Sequence, residues 1–275
     1  AKKLMRISLT GPAAFLSGFS ILLLATPSMS AERHLFGWDA EPLTGTISAD
    51  RPGFSTSPQT VPTGRLQVEA GYQFTVDRGV DNHAMPLLLL RAGLTKKLEL
   101  RVSWDGLSWT ENNGQSEASD MSLGFKAQLS EQIRLLPAIG LLGLLSLPTG
   151  NGSSTSHRVD PTGGLLWQYN LAAGPGIFGT VLMSSVTGDN GRFFEAANAI
   201  GVSLPINDRF GSFVEYFGFY RKGGGGPAHN LNGGLTCLLN DNLQLDINGG
   251  FGINGRADDY FLGTGLAFRF WGGNV

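Results

Sequence analysis

Hydrophobic and polar positions alternate along most of the chain. In residues 65–77, Leu66, Val68, Ala70, Tyr72, Phe74 and Val76 share one face, while Arg65, Gln67, Glu69, Gly71, Gln73, Thr75 and Asp77 share the other. The same period of two runs through 97–104, 121–129, 243–253 and 260–270. A helix would repeat every 3.6 residues, so these segments predict β-strands. Weaker strands are predicted over 84–94, 134–147, 161–171, 176–187, 192–204, 209–221 and 229–239, making twelve. Pro86, Pro137 and Pro161 sit at or near strand starts, where a missing N–H donor is tolerated.

Strand length and connection length narrow the architecture. Most segments run about 9–13 residues, near the ~9–11 that a tilted strand needs to cross a bilayer and longer than the usual ~5–6. Short links at Thr95-Lys96, 130–133, 172–175, 205–208 and 240–242 alternate with generally longer polar links at 77–83, 105–118, 148–160, 187–191, 222–228 and 254–259. Such alternation predicts an all-β, up-and-down antiparallel transmembrane barrel of about twelve strands, with tight turns on one rim and loops on the other. An even strand number puts both barrel ends on the tight-turn, periplasmic rim. A soluble β-sandwich is the competing class. Aromatics gather near predicted strand ends, among them Trp104, Trp109, Tyr169, Phe193, Phe194, Tyr216, Tyr220, Tyr260 and Trp271, as in an interfacial girdle.

The ends of the chain read differently. Lys2, Lys3 and Arg6 precede an apolar run over 13–25, and Ser28-Met29-Ser30 offers small residues for cleavage before Ala31. Residues 1–30 are therefore expected to be a cleaved signal peptide for export. Loss of that segment removes three basic residues and no acidic one, leaving 17 Lys+Arg against 22 Asp+Glu. Without a basic excess, nucleic acid is not an expected partner. Glycine, at 40 of 275 residues, is about twice its usual ~7% share, and the 15% of charged residues falls below the usual ~25%. Prolines 42, 52, 58 and 62 exclude a long helix from 31–63. That stretch is expected to stay on the periplasmic rim or to enter the lumen, with Asp50 and Arg51 as a candidate plug. The barrel itself is assigned to 64–271 and a short tail to 272–275.

The last strand, Gly263-Thr264-Gly265-Leu266-Ala267-Phe268-Arg269-Phe270, resembles the C-terminal signal read by barrel-insertion machinery, with Gly265, Phe268 and Phe270 as its marks. Further motifs recur in order: Ala49-Asp50-Arg51-Pro52-Gly53-Phe54, Val61-Pro62-Thr63-Gly64, Gln67-Val68-Glu69-Ala70-Gly71-Tyr72, Leu145-Ser146-Leu147-Pro148-Thr149-Gly150, Phe213-Val214-Glu215-Tyr216-Phe217-Gly218 and Ala257-Asp258-Asp259-Tyr260-Phe261. Together they resemble, over about 45–271, the outer-membrane transporter family named after the meta pathway of phenol degradation. The resemblance implies a barrel in a Gram-negative outer membrane and, loosely, passage of small aromatic or hydrophobic compounds. It brings no catalytic motif.

In such a barrel the apolar face meets lipid and the polar face looks inward. The inward charges and amides on this parity are Arg65, Gln67, Glu69, Arg91, Glu99, Arg101, Lys126, Gln128, Glu195, Glu215, Asp246 and Arg269. Glu69, Arg91, Glu99, Arg101, Lys126, Asp246 and Arg269 are the candidate solute path, since lumen charges set selectivity. Strands one and twelve adjoin on closure, so Glu69 is expected to pair with Arg269, and Asp246 to reach Arg269 too. Arg91 is expected to approach Glu99 or Glu69. The expected function is passive diffusion of small solutes, with a closed structural or adhesion barrel as the alternative. A barrel-embedded lipid hydrolase is weaker: His34, His83, His157 and His229 adjoin no serine motif, and Gly-x-Ser-x-Gly is absent. Neither an enzyme, a cofactor nor a metal site is expected. Cys237 reads as a small lipid-facing residue.

Overall fold

Alternating side chains on long strands leave every backbone group to be paired by a neighbour, and only closure of the sheet removes the two edges. The computed structural model of the chain describes residues 40–43, 45–111, 115–172, 174–188, 191–222 and 226–270. The expected signal peptide, the start of the 31–63 segment, Trp271 and the 272–275 tail lie outside the described residues. Among the described residues fifteen strands form one antiparallel sheet. They are β1 (Leu66–Asp77), β2 (Val80–Met85), β3 (Leu88–Thr95), β4 (Leu98–Trp104), β5 (Leu107–Thr110), β6 (Ser116–Ala118), β7 (Met121–Ser130), β8 (Ala138–Leu147), β9 (Asp160–Asn170), β10 (Gly176–Gly188), β11 (Gly191–Pro205), β12 (Phe210–Arg221), β13 (Ala228–Asn240), β14 (Leu243–Gly252) and β15 (Tyr260–Arg269).

Twelve of these build the wall in the order β1-β3-β4-β7-β8-β9-β10-β11-β12-β13-β14-β15. The wall closes where β15 pairs with β1, from Gln67 opposite Arg269 to Val76 opposite Tyr260. The chain is a closed transmembrane-type β-barrel. Its faces are inverted relative to a soluble protein. Glu69, Arg91, Glu99 and Lys126 are fully buried, whereas Phe125, Leu165, Ile200, Val214, Ile247 and Leu262 are exposed around the outside. A soluble sandwich would bury the second set and expose the first, so closure and inversion together exclude that class.

Several boundaries depart from the sequence expectation. The predicted strand 134–147 begins only at Ala138, because Ile133 and Leu136 close a turn on each other and Pro137 has no N–H to donate. The link 77–83 is a two-residue turn: Arg78 and Gly79 both have positive φ, at 50° and 76°, as a tight hairpin requires. The chain then runs straight into β2. The predicted strand 84–94 is broken at Pro86-Leu87 into β2 and β3. β5 and β6 fill part of the link 105–118, and β1, β2, β5 and β6 pair in turn to extend the wall at the loop rim. Among the expected girdle residues, Phe194 is exposed, but its neighbour Phe193 takes the opposite parity and lies under the Arg221 guanidinium at 5.9 Å.

Candidate functional site

Among the described residues before β1, which include prolines 42, 52, 58 and 62, neither helix nor strand forms, so the backbone must find partners elsewhere. It finds them inside the barrel. The Arg65 side chain donates to the Glu41 carbonyl at the tight-turn rim, and the Ile47 N–H reaches the Asp241 carbonyl in the β13–β14 turn. The chain then rises through the lumen to Arg51–Phe54 and returns past Thr180, Gln168 and Gly140. It leaves beside Gly93, where a Cβ would strike the Val61 and Pro62 carbonyls.

Three wall carboxylates hold this segment by its own backbone. Glu69 accepts the N–H groups of Asp50 and Arg51 at 2.9–3.1 Å. Glu215 accepts those of Phe54 and Ser55. Glu99 accepts that of Val61 at 2.8 Å. Cations of the wall hold the carbonyls: Arg91 donates to Ser48 and Gln59, and Lys126 to Ser57.

The same side chains form one buried charge cluster. Arg91 bridges Glu69 and Glu99 at 2.9 Å each, and Arg101 bonds Glu99 at 2.8 Å. Asp50 enters from the threaded segment and meets Arg91, Arg101 and Lys126 together. Three carboxylates therefore face three cations. Charges this deep are tolerated only when paired and hydrogen-bonded, so Asp50 completes a set that the wall alone leaves with an excess cation. Burial by itself pushes the Asp50 carboxyl up, but Arg91, Lys126 and Arg101 outweigh it and hold the group below the usual carboxylate range. A second pair joins Arg51 to Asp246 at 3.3 Å. Arg51 lies in a notch formed by Gly71 and Gly265, which face each other across the β1–β15 seam. A Cβ on either would collide with its guanidinium.

The structure thus gathers Glu69, Arg91, Glu99, Arg101 and Lys126 around Asp50, and places Asp246 on Arg51. Arg91 meets both Glu69 and Glu99. The two pairs expected of Arg269 do not form. Arg269 stands opposite Gln67 rather than Glu69, nearer the tight-turn rim, and donates to the Asn242 side chain and the Gly45 carbonyl. Glu69 and Asp246 are taken by the threaded segment instead. Gly265 faces inward beside Arg51, while Phe268 and Phe270 pack edge to face at 4.8 Å. Glu215, inward on the same parity but outside the seven expected path residues, anchors the segment as well. His83 and His229 bond Tyr72 and Tyr216 at 2.7 and 2.6 Å. Among the described residues no three metal-ligating side chains come together.

On the loop side of the cluster lies a cavity of about 1000 Å³. Arg51, Arg101 and Phe54 line it, with Phe217, Phe219 and Phe261 along one wall and Asn230, Asn232 and Asn248 beside them. Loop residues Arg78, Arg256 and Asp258 ring its mouth. Burial, together with Asp77 and Asp259 nearby, pushes the Asp258 carboxyl up.

Residues 49–270 match the sequence family described as "Putative MetA-pathway of phenol degradation". The chain belongs to this family. The family match begins at Ala49, so it takes in the apex of the threaded segment as well as the whole wall. No protein of curated function matches the chain. Among solved structures, an outer-membrane channel from Pseudomonas putida F1 is similar with a TM-score of 0.57 at 14% identity, over 80% of this chain and 99% of that one. The NanC porin is similar with a TM-score of 0.51 at 11% identity, over 74% of this chain and all of the porin. At these identities the likeness is one of fold: the family member described here is an outer-membrane-type barrel.

Proposed function

We propose that this family member is an outer-membrane channel for small solutes, closed at rest by residues 45–63. The observation that carries the reading is the kind of contact that holds the segment. Its apex is fixed to the wall by hydrogen bonds and ion pairs to Glu69, Glu215, Arg101 and Asp246, whereas no wall strand pairs with it. Polar contacts can exchange for water one by one, and the wall keeps its own ladder when they do. A cavity already open toward the loops then needs only displacement of the segment to join the periplasmic side. Such a path would be lined by Glu69, Arg91, Glu99, Arg101, Lys126, Asp246 and Arg269, and its mixed charge would select by size and polarity. The balanced cluster also favours a second reading, a permanently closed structural barrel.

Single-channel recording of the refolded chain in a planar bilayer separates the two. The channel reading expects brief salt-dependent steps from the intact chain, larger and longer steps after deletion of residues 45–60, and altered ion preference with Arg101→Glu. Silence from both the intact and the deleted protein, each shown to be folded and inserted, would leave the structural barrel.

A further inference from the structure

We propose that the loop-side cavity is a binding site for an elongated aromatic carboxylate, a class of solute that deepens the channel reading above. The first ground is a cluster of aromatic rings along one wall of the cavity. Phe54, at the apex of the threaded segment, stacks on Phe217 with centroids 4.9 Å apart and planes 6° from parallel. Phe219 meets both edge-on, at 5.4 and 6.0 Å. Phe261 closes the group at 6.1 Å from Phe217. Phe217, Phe219 and Phe261 occupy inward positions of β12 and β15, on the same parity as Glu215 and Arg269. Offset and edge-on contacts between rings are favourable, so the wall offers a further aromatic ring a ready surface.

The second ground is the charge across from it. In the wall order β4 and β12 are six strands apart in either direction round the ring of twelve, so Arg101 stands on the side opposite Phe217. The Nη1 of Arg101 is committed to Asp50 and Glu99. Its Nε–H is buried and donates to no acceptor, in a side chain only 6% exposed. Buried donors of this kind are rarely left unused, and a guanidinium matches a carboxylate in geometry and charge. A ligand that satisfies both sides must place its ring and its carboxylate at opposite ends. An arylalkanoate does so; a neutral arene or a small inorganic anion satisfies only one.

The test uses the full chain in phosphatidylcholine nanodiscs, titrated calorimetrically with 3-phenylpropionate, 3-phenylpropan-1-ol and propionate. The acid is expected to bind at least tenfold more tightly than either the alcohol or propionate. Arg101→Lys is expected to weaken the acid at least fivefold, and Phe219→Leu to narrow its preference over 3-cyclohexylpropionate. Equal binding of acid and alcohol, unchanged binding by Arg101→Lys, or no saturable binding by protein with an intact β-sheet circular dichroism spectrum would each overturn the proposal. The comparison of ligands on the unaltered chain remains decisive if Arg101→Lys fails to fold. Vesicle uptake separates this site from the channel: binding without uptake sinks the channel and keeps the site, and uptake without binding does the reverse.

Discussion

Gly71 and Gly265 show how much of the lumen is decided by an absent side chain. Glycine in a strand weakens the strand, and it is placed where something must come close. Here that something is the Arg51 guanidinium, which fills the space a Cβ would take on either residue. At Gly71 all the nearest atoms belong to the end of the Arg51 side chain, so an alanine there displaces a flexible group. At Gly93 they are the backbone carbonyls of Val61 and Pro62, which cannot swing aside. Gly71→Ala is therefore expected to separate Arg51 from Asp246 and leave the wall intact, while Gly93→Ala lifts the returning limb of the segment. Hydrogen exchange of the Asp50 and Arg51 amides, both bonded to Glu69, measures this. Exchange at least tenfold faster in Gly71→Ala corresponds to about 1.4 kcal/mol of lost docking, and Gly93→Ala should exceed it. Unchanged exchange in both variants would mean that the glycines do not seat the segment.

At the scale of elements, the threaded segment and the wall are joined by a charge cluster whose balance depends on Asp50. The docked carboxyl, facing Arg91, Arg101 and Lys126 with Glu69 and Glu99 beside them, titrates below its ordinary value. A depressed carboxylate stabilises the docked state at every pH above the value of the released group, roughly 3.9. That contribution fades only as pH falls further, by at most about 1.4 kcal/mol per unit from this one group. Recordings from pH 7 down to 4 should thus show no Asp50-dependent opening, with openings rising below that. Asp50→Asn should open more often at neutral pH and lose its share of the acid response. These elements were unevenly legible in the sequence. The twelve wall strands and their inward parity could be read because period-two alternation persists over seven residues or more at a time. β2, β5 and β6 could not, being too short to show a period. Asp50 and Arg51 stood out as charges amid prolines, but their partners did not. Which inward residues share a height depends on strand stagger, and a single strand carries no trace of it. Hence the contacts of Arg91 with Glu69 and Glu99 are legible in the sequence, whereas the height that sets Arg269 opposite Gln67 rather than Glu69 is not.

For the molecule as a whole, the wall separates two environments by the thickness of one strand. Ile247 and Asn248 are consecutive on β14, yet Ile247 is 56% exposed on the outside and Asn248 is buried and lines the cavity. The same substitution at the two sites should therefore meet opposite solvents. Ile247, near the middle of its strand, stands opposite Leu235 and Thr264, so Ile247→Arg puts a guanidinium among acyl chains. The expected loss is about 2–4 kcal/mol at the bilayer midplane, read as a shift in the equilibrium refolding of the barrel into lipid vesicles. Asn248→Arg adds its charge to a water-accessible cavity, where arginines already stand, and refolding should change by less than about 1 kcal/mol. Its effect belongs instead to conduction, as an increased preference for anions. Equal losses at 247 and 248 would contradict the wall as described, because no closed single-layer barrel offers two successive residues the same solvent. A large loss at 247 alone follows directly from a surface that is apolar all the way round the outside and charged within.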